Sequence, residues 1–177
     1  MDGESLRQLT DGTGELVPAY SPDGQTIAYM DIASGTVWKI ASQGGKPIQL
    51  TQKPSYWPNI APDSKSMACA YRADLSQPMK FAVIPLSGGP PTKIFEAPTT
   101  ADWHIQWSRD GRSLTYVDTP KGVSNIWSVP LQGGPAKQVT HFDSGLIFNF
   151  AWSRDGKRLA LARGRSDSDV VLIRKFR

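Results

Sequence analysis

A chain of 177 residues with 20 Lys and Arg against 16 Asp and Glu, a formal charge of +4, has the length for one substantial core. Sixteen glycines, fourteen prolines and 10% aromatic residues, with no sustained helical periodicity, exclude a helical bundle and point to many short strands joined by tight turns. The single cysteine, Cys69, excludes an internal disulfide and a cysteine-based zinc cluster, the polar opening Met1–Ser5 lacks the apolar stretch of a signal peptide, and no apolar run of about 18 residues is present to span a membrane.

In chain order, Arg7-Gln8-Leu9-Thr10 comes first, and it reappears as Ile48-Gln49-Leu50-Thr51 and Lys137-Gln138-Val139-Thr140. The chain is therefore expected to open on an orphan strand over 6–10, the tail of a repeat whose earlier part belongs to a longer parent. Next comes Tyr20-Ser21-Pro22-Asp23-Gly24, written again as Ile60-Ala61-Pro62-Asp63-Ser64, Trp107-Ser108-Arg109-Asp110-Gly111 and Trp152-Ser153-Arg154-Asp155-Gly156. Proline fixes φ at the second turn position and glycine accepts a positive φ at the fourth, so each copy reads as a type I turn between two strands, a and b. Pro18 and Pro58 fall inside strand a, which places that strand at a sheet edge, the edge nearest an axis in a radial array.

Strand b alternates with period 2, putting Ile27 and Tyr29, Met67 and Cys69, Leu114 and Tyr116, Leu159 and Leu161 on one face of successive units. Strand c carries Val37-Trp38-Lys39-Ile40, Phe81-Ala82-Val83-Ile84 and Ile126-Trp127-Ser128-Val129, and each quartet leads to a Gly-Gly turn at 44–45, 88–89 or 133–134. Strand d closes the unit. A period of roughly 40 to 47 residues with four short antiparallel strands is that of a propeller blade, so the fold class is all-β and the blades are expected over 15–51, 55–95, 102–140 and 147–177 of one continuous domain. Connection length varies between b and c and between d and the next a. Those loops share one face of the array, and that variable face is the expected binding surface.

Little in the chain carries reaction chemistry. No Gly-x-Ser-x-Gly is present, and Ser21, Ser108 and Ser153 read as turn residues. His104 and His141 belong to different blades, with no second His or Cys at ligand spacing. Gly12-Thr13-Gly14 lacks the third glycine and following helix of a phosphate loop, and Ser166-Asp167-Ser168-Asp169 lacks the glycine and glutamate of a calcium loop. Neither a catalytic residue, a metal nor a cofactor is assigned. Cys69 matches Tyr29 in register and reads as a small core residue. Residues 152 to 177 hold eight Lys and Arg against three Asp, a local +5 that strand alternation splits between faces, giving a solvated surface in preference to a nucleic-acid site. The aromatics Tyr56, Trp57, Trp103, Phe142 and Phe148 lie just before or within strand a. Trp103 with His104, Phe142 with His141, and Tyr56 with Trp57 form the candidate binding surface for a protein or small ligand.

The pattern Pro-x-aromatic-Ser-Pro-Asp-Gly-x-x-Ile-Ala-Tyr, then Val-Trp, Gly-Gly and Gln-Leu-Thr, resembles the repeat of TolB-like, WD-repeat-like β-propellers over nearly the whole chain. The segment Asp155–Gly164 followed by Ser168–Ile173 is similar to the closing blade of propellers appended to bacterial serine/threonine protein kinases. The resemblance implies a non-catalytic interaction or sensing module of a larger bacterial signalling protein, with a periplasmic scaffold or a prolyl-oligopeptidase-like propeller as alternatives, and a periplasmic location ahead of a cytoplasmic one. It also implies a ring of six or more blades, of which four are present, so open edges could self-associate. Three departures stand out: Ser64 replaces the turn glycine, Arg109 and Arg154 replace proline, and Ala82 replaces the strand c tryptophan. Blade two is expected to be the loosest.

Overall fold

The computed structural model describes residues 6–166 except 13 and 154. Its fourteen strands follow the turn signals. β1 (Glu15–Tyr20), β2 (Thr26–Asp31), β3 (Thr36–Ala41) and β4 (Ile48–Gln49) form one antiparallel sheet in chain order. β5 (Ser55–Ile60), β6 (Ser66–Tyr71), β7 (Lys80–Pro85) and β8 (Lys93–Glu96) form the second; β9 (Ala101–Trp107), β10 (Ser113–Asp118), β11 (Asn125–Pro130) and β12 (Lys137–Gln138) form the third. β13 (Leu146–Trp152) and β14 (Leu159–Gly164) pair as a two-stranded fourth sheet among the described residues. Among the described residues a 3₁₀ turn at Pro120–Gly122 interrupts the all-β pattern. The expected last strand c, at 170–173, lies outside the described residues.

Equivalent residues pair identically. Tyr20, Ile60, Trp107 and Trp152 sit opposite Ile27, Met67, Leu114 and Leu159, and Tyr29, Cys69 and Tyr116 sit opposite Trp38, Ala82 and Trp127. Each a–b hairpin is closed by side chains as well as backbone. In the first, the Ser21 hydroxyl donates to Asp23 Oδ1 at 2.6 Å, the same oxygen accepts Gln25 N–H at 3.0 Å, and Ser21 Oγ accepts Thr26 N–H at 2.9 Å. Ser108 with Asp110 and Ser153 with Asp155 repeat the arrangement. The serine hydroxyl, followed by the backbone N–H, holds the Asp23, Asp110 and Asp155 carboxyls below the usual carboxylate range.

Successive sheets stack face to face, and that stacking is the core. Met67 and Cys69 pack on Ala28 and Val37 of the first sheet. Leu114 and Tyr116 pack on Ala68, Phe81 and Val83 of the second, with the Phe81 and Tyr116 rings 4.9 Å apart and tilted by 51°. Leu159 and Leu161 pack against Val117 and Ile126 of the third. The b-strand residues of the second, third and fourth sheets thus pack alike on the sheet before them, while Ile27 and Tyr29 of the first pack within their own sheet and on Leu9. Each large apolar side chain removed from water contributes about 1.5–3 kcal/mol.

The structure differs from the sequence expectation at three places. Residues 6–10 form no strand; Leu9 packs beside Ile27, Tyr29 and Ile40, and the Arg7 guanidinium donates to the Gln43 carbonyl. Blade two is the best covered, not the loosest: Met67, Cys69 and Ala82 are fully buried because a sheet lies on either side, and Ala82 opposite Cys69 is a small pair. Length also varies in one c–d hairpin. Gly45 to the partner of Trp38 is 45 to 49, and Gly134 to the partner of Trp127 is 134 to 138, but Gly89 to the partner of Ala82 is 89 to 94, one residue longer through Pro90-Pro91.

Candidate functional site

Strand a is the first strand of every sheet, with a sheet neighbour on one side only. Proline cannot donate to a ladder, and at Val17-Pro18 and Trp57-Pro58 the strand bulges. The residue before proline takes a left-handed φ, +52° at Val17 and +53° at Trp57, and the register slips between Leu16 and Ala19 and between Tyr56 and Asn59. A β-branched or bulky residue pays for such a φ with strain, and bulges of this kind re-aim a side chain. β13 slips between Ile147 and Asn149, and β9 slips where it pairs with Tyr116 and Asp118.

Counting three residues back from the strand-end Tyr20, Ile60, Trp107 and Trp152 gives Val17, Trp57, His104 and Asn149. All four line one cavity of about 80 Å³, with Pro58, Asn59, Ile105 and Gln106 between them. The inner edges of the four blades therefore converge on a single small axial site, and one equivalent position supplies an aliphatic, an indole, an imidazole and a carboxamide.

Cross-blade hydrogen bonds hold this edge. Trp107 Nε1 donates to the Asn59 carbonyl at 2.8 Å, and Gln106 Nε2 donates to the Phe150 carbonyl at 2.5 Å. His104 Nδ1 lies 2.9 Å from Asp102 Oδ1, which also accepts the His104 N–H at 3.1 Å. That hydrogen bond raises the imidazole pKa against a smaller opposing effect of burial. The Trp57 ring stands edge-on to His104 with centroids 5.2 Å apart, and Tyr56 follows at 6.5 Å from Trp57.

The sequence-selected residues thus divide. Trp57 and His104 meet at the axial cavity with Tyr56 beside them, and Trp103 lies in β9 next to His104. His141 and Phe142 are elsewhere, on the connection into β13. His141 is exposed, whereas Phe142 is half-buried against the cluster of Val117, Ile126, Ile147 and Phe150. The Phe142 N–H donates to Asn125 Oδ1 at 2.7 Å, its carbonyl accepts Asn125 Nδ2 at 3.1 Å, and the Arg163 guanidinium lies 3.9 Å over its ring. Phe148, in β13, is 52% exposed. Sequence reasoning passed over Val17, Asn149 and Gln106; the constant count back from the strand-end residue is the signal that marks the first two.

Other groups are chemically quiet. Cys69 is buried, and desolvation pushes its thiol up to about 12. Among the described residues no group of three or more His, Cys, Asp and Glu is gathered to hold a metal ion, and no helix is long and apolar enough to cross a membrane. The Gly14 carbonyl accepts the Ile32 N–H at 3.0 Å, so that glycine segment extends the edge of the first sheet.

The comparisons with known proteins agree with this architecture. TolB from Acinetobacter baumannii superposes with a TM-score of 0.78 at 22% identity, over 95% of this chain and 42% of its own. A TolB candidate from Agrobacterium tumefaciens gives 0.67 at 22% identity over 85% and 58%, and the acylaminoacyl peptidase of Pyrococcus horikoshii gives 0.57 at 18% over 76% and 26%. The chain therefore spans roughly half the length of the TolB structures it resembles, and at these identities the likeness is one of fold. No curated protein matches its sequence. The description TolB beta propeller domain matches residues 1–176, and with the repeated sheets and shared registers above it, the chain belongs to that family.

Proposed function

We propose that this chain is a non-catalytic propeller module that binds a protein or small ligand at the axial inner edges and the adjoining variable loops, as the sensing or interaction part of a larger bacterial signalling protein such as a serine/threonine kinase. A periplasmic placement suits this reading. The observation that carries it is the convergence of Val17, Trp57, His104 and Asn149 on one cavity. Four unlike side chains at one structural position are what selective recognition needs, whereas packing alone would be served by repetition. His141 and Phe142 extend the surface along the connection into β13. Likeness to the peptidase propeller supports a second reading, a domain beside a hydrolase whose Ser, His and Asp would lie elsewhere in the parent.

The test is capture of the partner from a bacterial extract by immobilised protein. Trp57→Ala and His104→Ala are expected to weaken capture severalfold, while Ser87→Ala, exposed on the c–d turn, leaves it intact. Unchanged capture by the first two, with loss in the third, would move the binding surface to the opposite face.

A further inference from the structure

The face made by the a–b and c–d turns lies opposite the variable loops, and the first two of its three inter-sheet gaps are built differently. Between the first and second sheets two clasps close the turn end. The Asp23 N–H donates to the Ser64 hydroxyl at 3.1 Å, and Lys39 from β3 donates through Nζ to the Leu86 carbonyl at 2.5 Å. Between the second and third sheets both clasps change. Gly111 stands where Ser64 stood, and the nearest atom to a Cβ built on it is Pro62 Cδ at 3.8 Å. Val83, opposite Ala68 as Lys39 is opposite Ala28, is too short to cross; Lys93 of outer strand β8 reaches the Leu131 carbonyl in its place at 2.5 Å.

The result is a cleft of about 480 Å³. Its apolar wall includes Pro62, Val83, Trp107 and Leu131, and its charged lining is Asp63 and Asp110 against Lys93, two carboxylates to one ammonium. The ammonium is hydrogen-bonded to a carbonyl; both carboxylates are exposed, and one oxygen of each closes its own turn, Asp63 Oδ1 accepting the Lys65 N–H and Asp110 Oδ1 the Arg112 N–H. A cleft of this size with an apolar wall and a few polar groups is the ordinary form of a ligand site, and its surplus of negative charge selects a cation.

We propose that this cleft, on the face opposite the axial site, receives an arginine side chain of a partner protein. The arginine stem matches the apolar wall, and the guanidinium can pair with either exposed carboxylate. Lysine, a compact and strongly hydrated charge, fits this lining less well.

The experiment is an amide-resolved NMR titration of the whole chain with a capped Gly-Ala-Arg-Ala-Gly peptide, the same peptide carrying citrulline, and free arginine. The arginine peptide is expected to shift Ser66, Thr92 and Gly111, and the neutral citrulline peptide to bind about tenfold more weakly. Gly111→Ser, which restores the Ser64-type clasp, should abolish the response, and Asp63→Asn should weaken it severalfold. The assignment is overturned if those three amides stay still, if citrulline and arginine peptides bind alike, or if a folded Gly111→Ser responds as wild type. Free arginine binding more tightly than the peptide would mark a metabolite site and overturn the partner assignment. Should Gly111→Ser fail to fold, unchanged affinity in Asp63→Asn decides against the proposal.

Discussion

The hairpin rim and the inner edge use the same four strands in opposite ways. At the rim, Ser21–Asp23, Ser108–Asp110 and Ser153–Asp155 form one hydrogen-bonded turn three times over, and turn touches turn: Asp23 N–H to Ser64 Oγ, and Arg109 to the Asp155 carbonyl at 2.9 Å. At the inner edge, one structural position is filled by Val17, Trp57, His104 and Asn149, with a bulge in each strand. Repetition marks what every blade needs to fold. Divergence at an equivalent position marks where the fold does not dictate the residue.

The largest effect should come from the repeated stacking face. Phe81→Ala removes a ring packed on Tyr116 and should cost about 3–5 kcal/mol in urea unfolding, whereas Val17→Ala at the divergent edge should cost under about 1 kcal/mol. A reversed order would break the contrast. At the rim, Ser108→Ala leaves Asp110 without its hydroxyl donor and should lower the urea midpoint by less than Phe81→Ala does, with a matching loss for Ser153→Ala. Unequal losses would mean that the turns are not equivalent.

Acid should weaken the rim and spare the edge. The folded-state pKa values of Asp23, Asp110 and Asp155 lie below their unfolded values, so their contribution is complete above the ordinary carboxylate range and is lost as pH falls through the depressed values. Urea midpoints should fall on acidification, and less so in Ser108→Ala. The smallest effect belongs to His104. Its folded pKa is raised by Asp102, so its contribution is complete below the unfolded histidine value and is lost as pH rises through the folded one. An NMR titration of the imidazole should move to lower pH in Asp102→Asn; an unmoved midpoint would show that the pair does not form.

The rim was legible because its chemistry is local: Ser-x-Asp-Gly closes a turn within six residues, and period-2 alternation assigned Ile27, Leu114 and Leu159 to one face without any tertiary information. The site was half legible. Trp57 and His104 stood out as residue types, but Val17 and Asn149 carry no chemical flag and join them only because four distant strands meet at one axis. Phe142 stood out as a loop aromatic, and the stacking of its ring under Arg163 of β14 is a contact that no local pattern marks. Ser64 shows the same limit. As a departure from glycine it predicted a weak turn, yet at φ +56° its hydroxyl is what binds the neighbouring turn, a contact 41 residues away in sequence.

The central claim is that separate blades bring unlike side chains together at one axial point, and the most direct measurement is the nuclear Overhauser contact between the Trp57 indole and the His104 imidazole. With centroids 5.2 Å apart, clear cross-peaks are predicted between the two rings. Their absence in a folded sample, with the Phe81–Tyr116 contact still present, would contradict the convergence while leaving the stacked sheets intact.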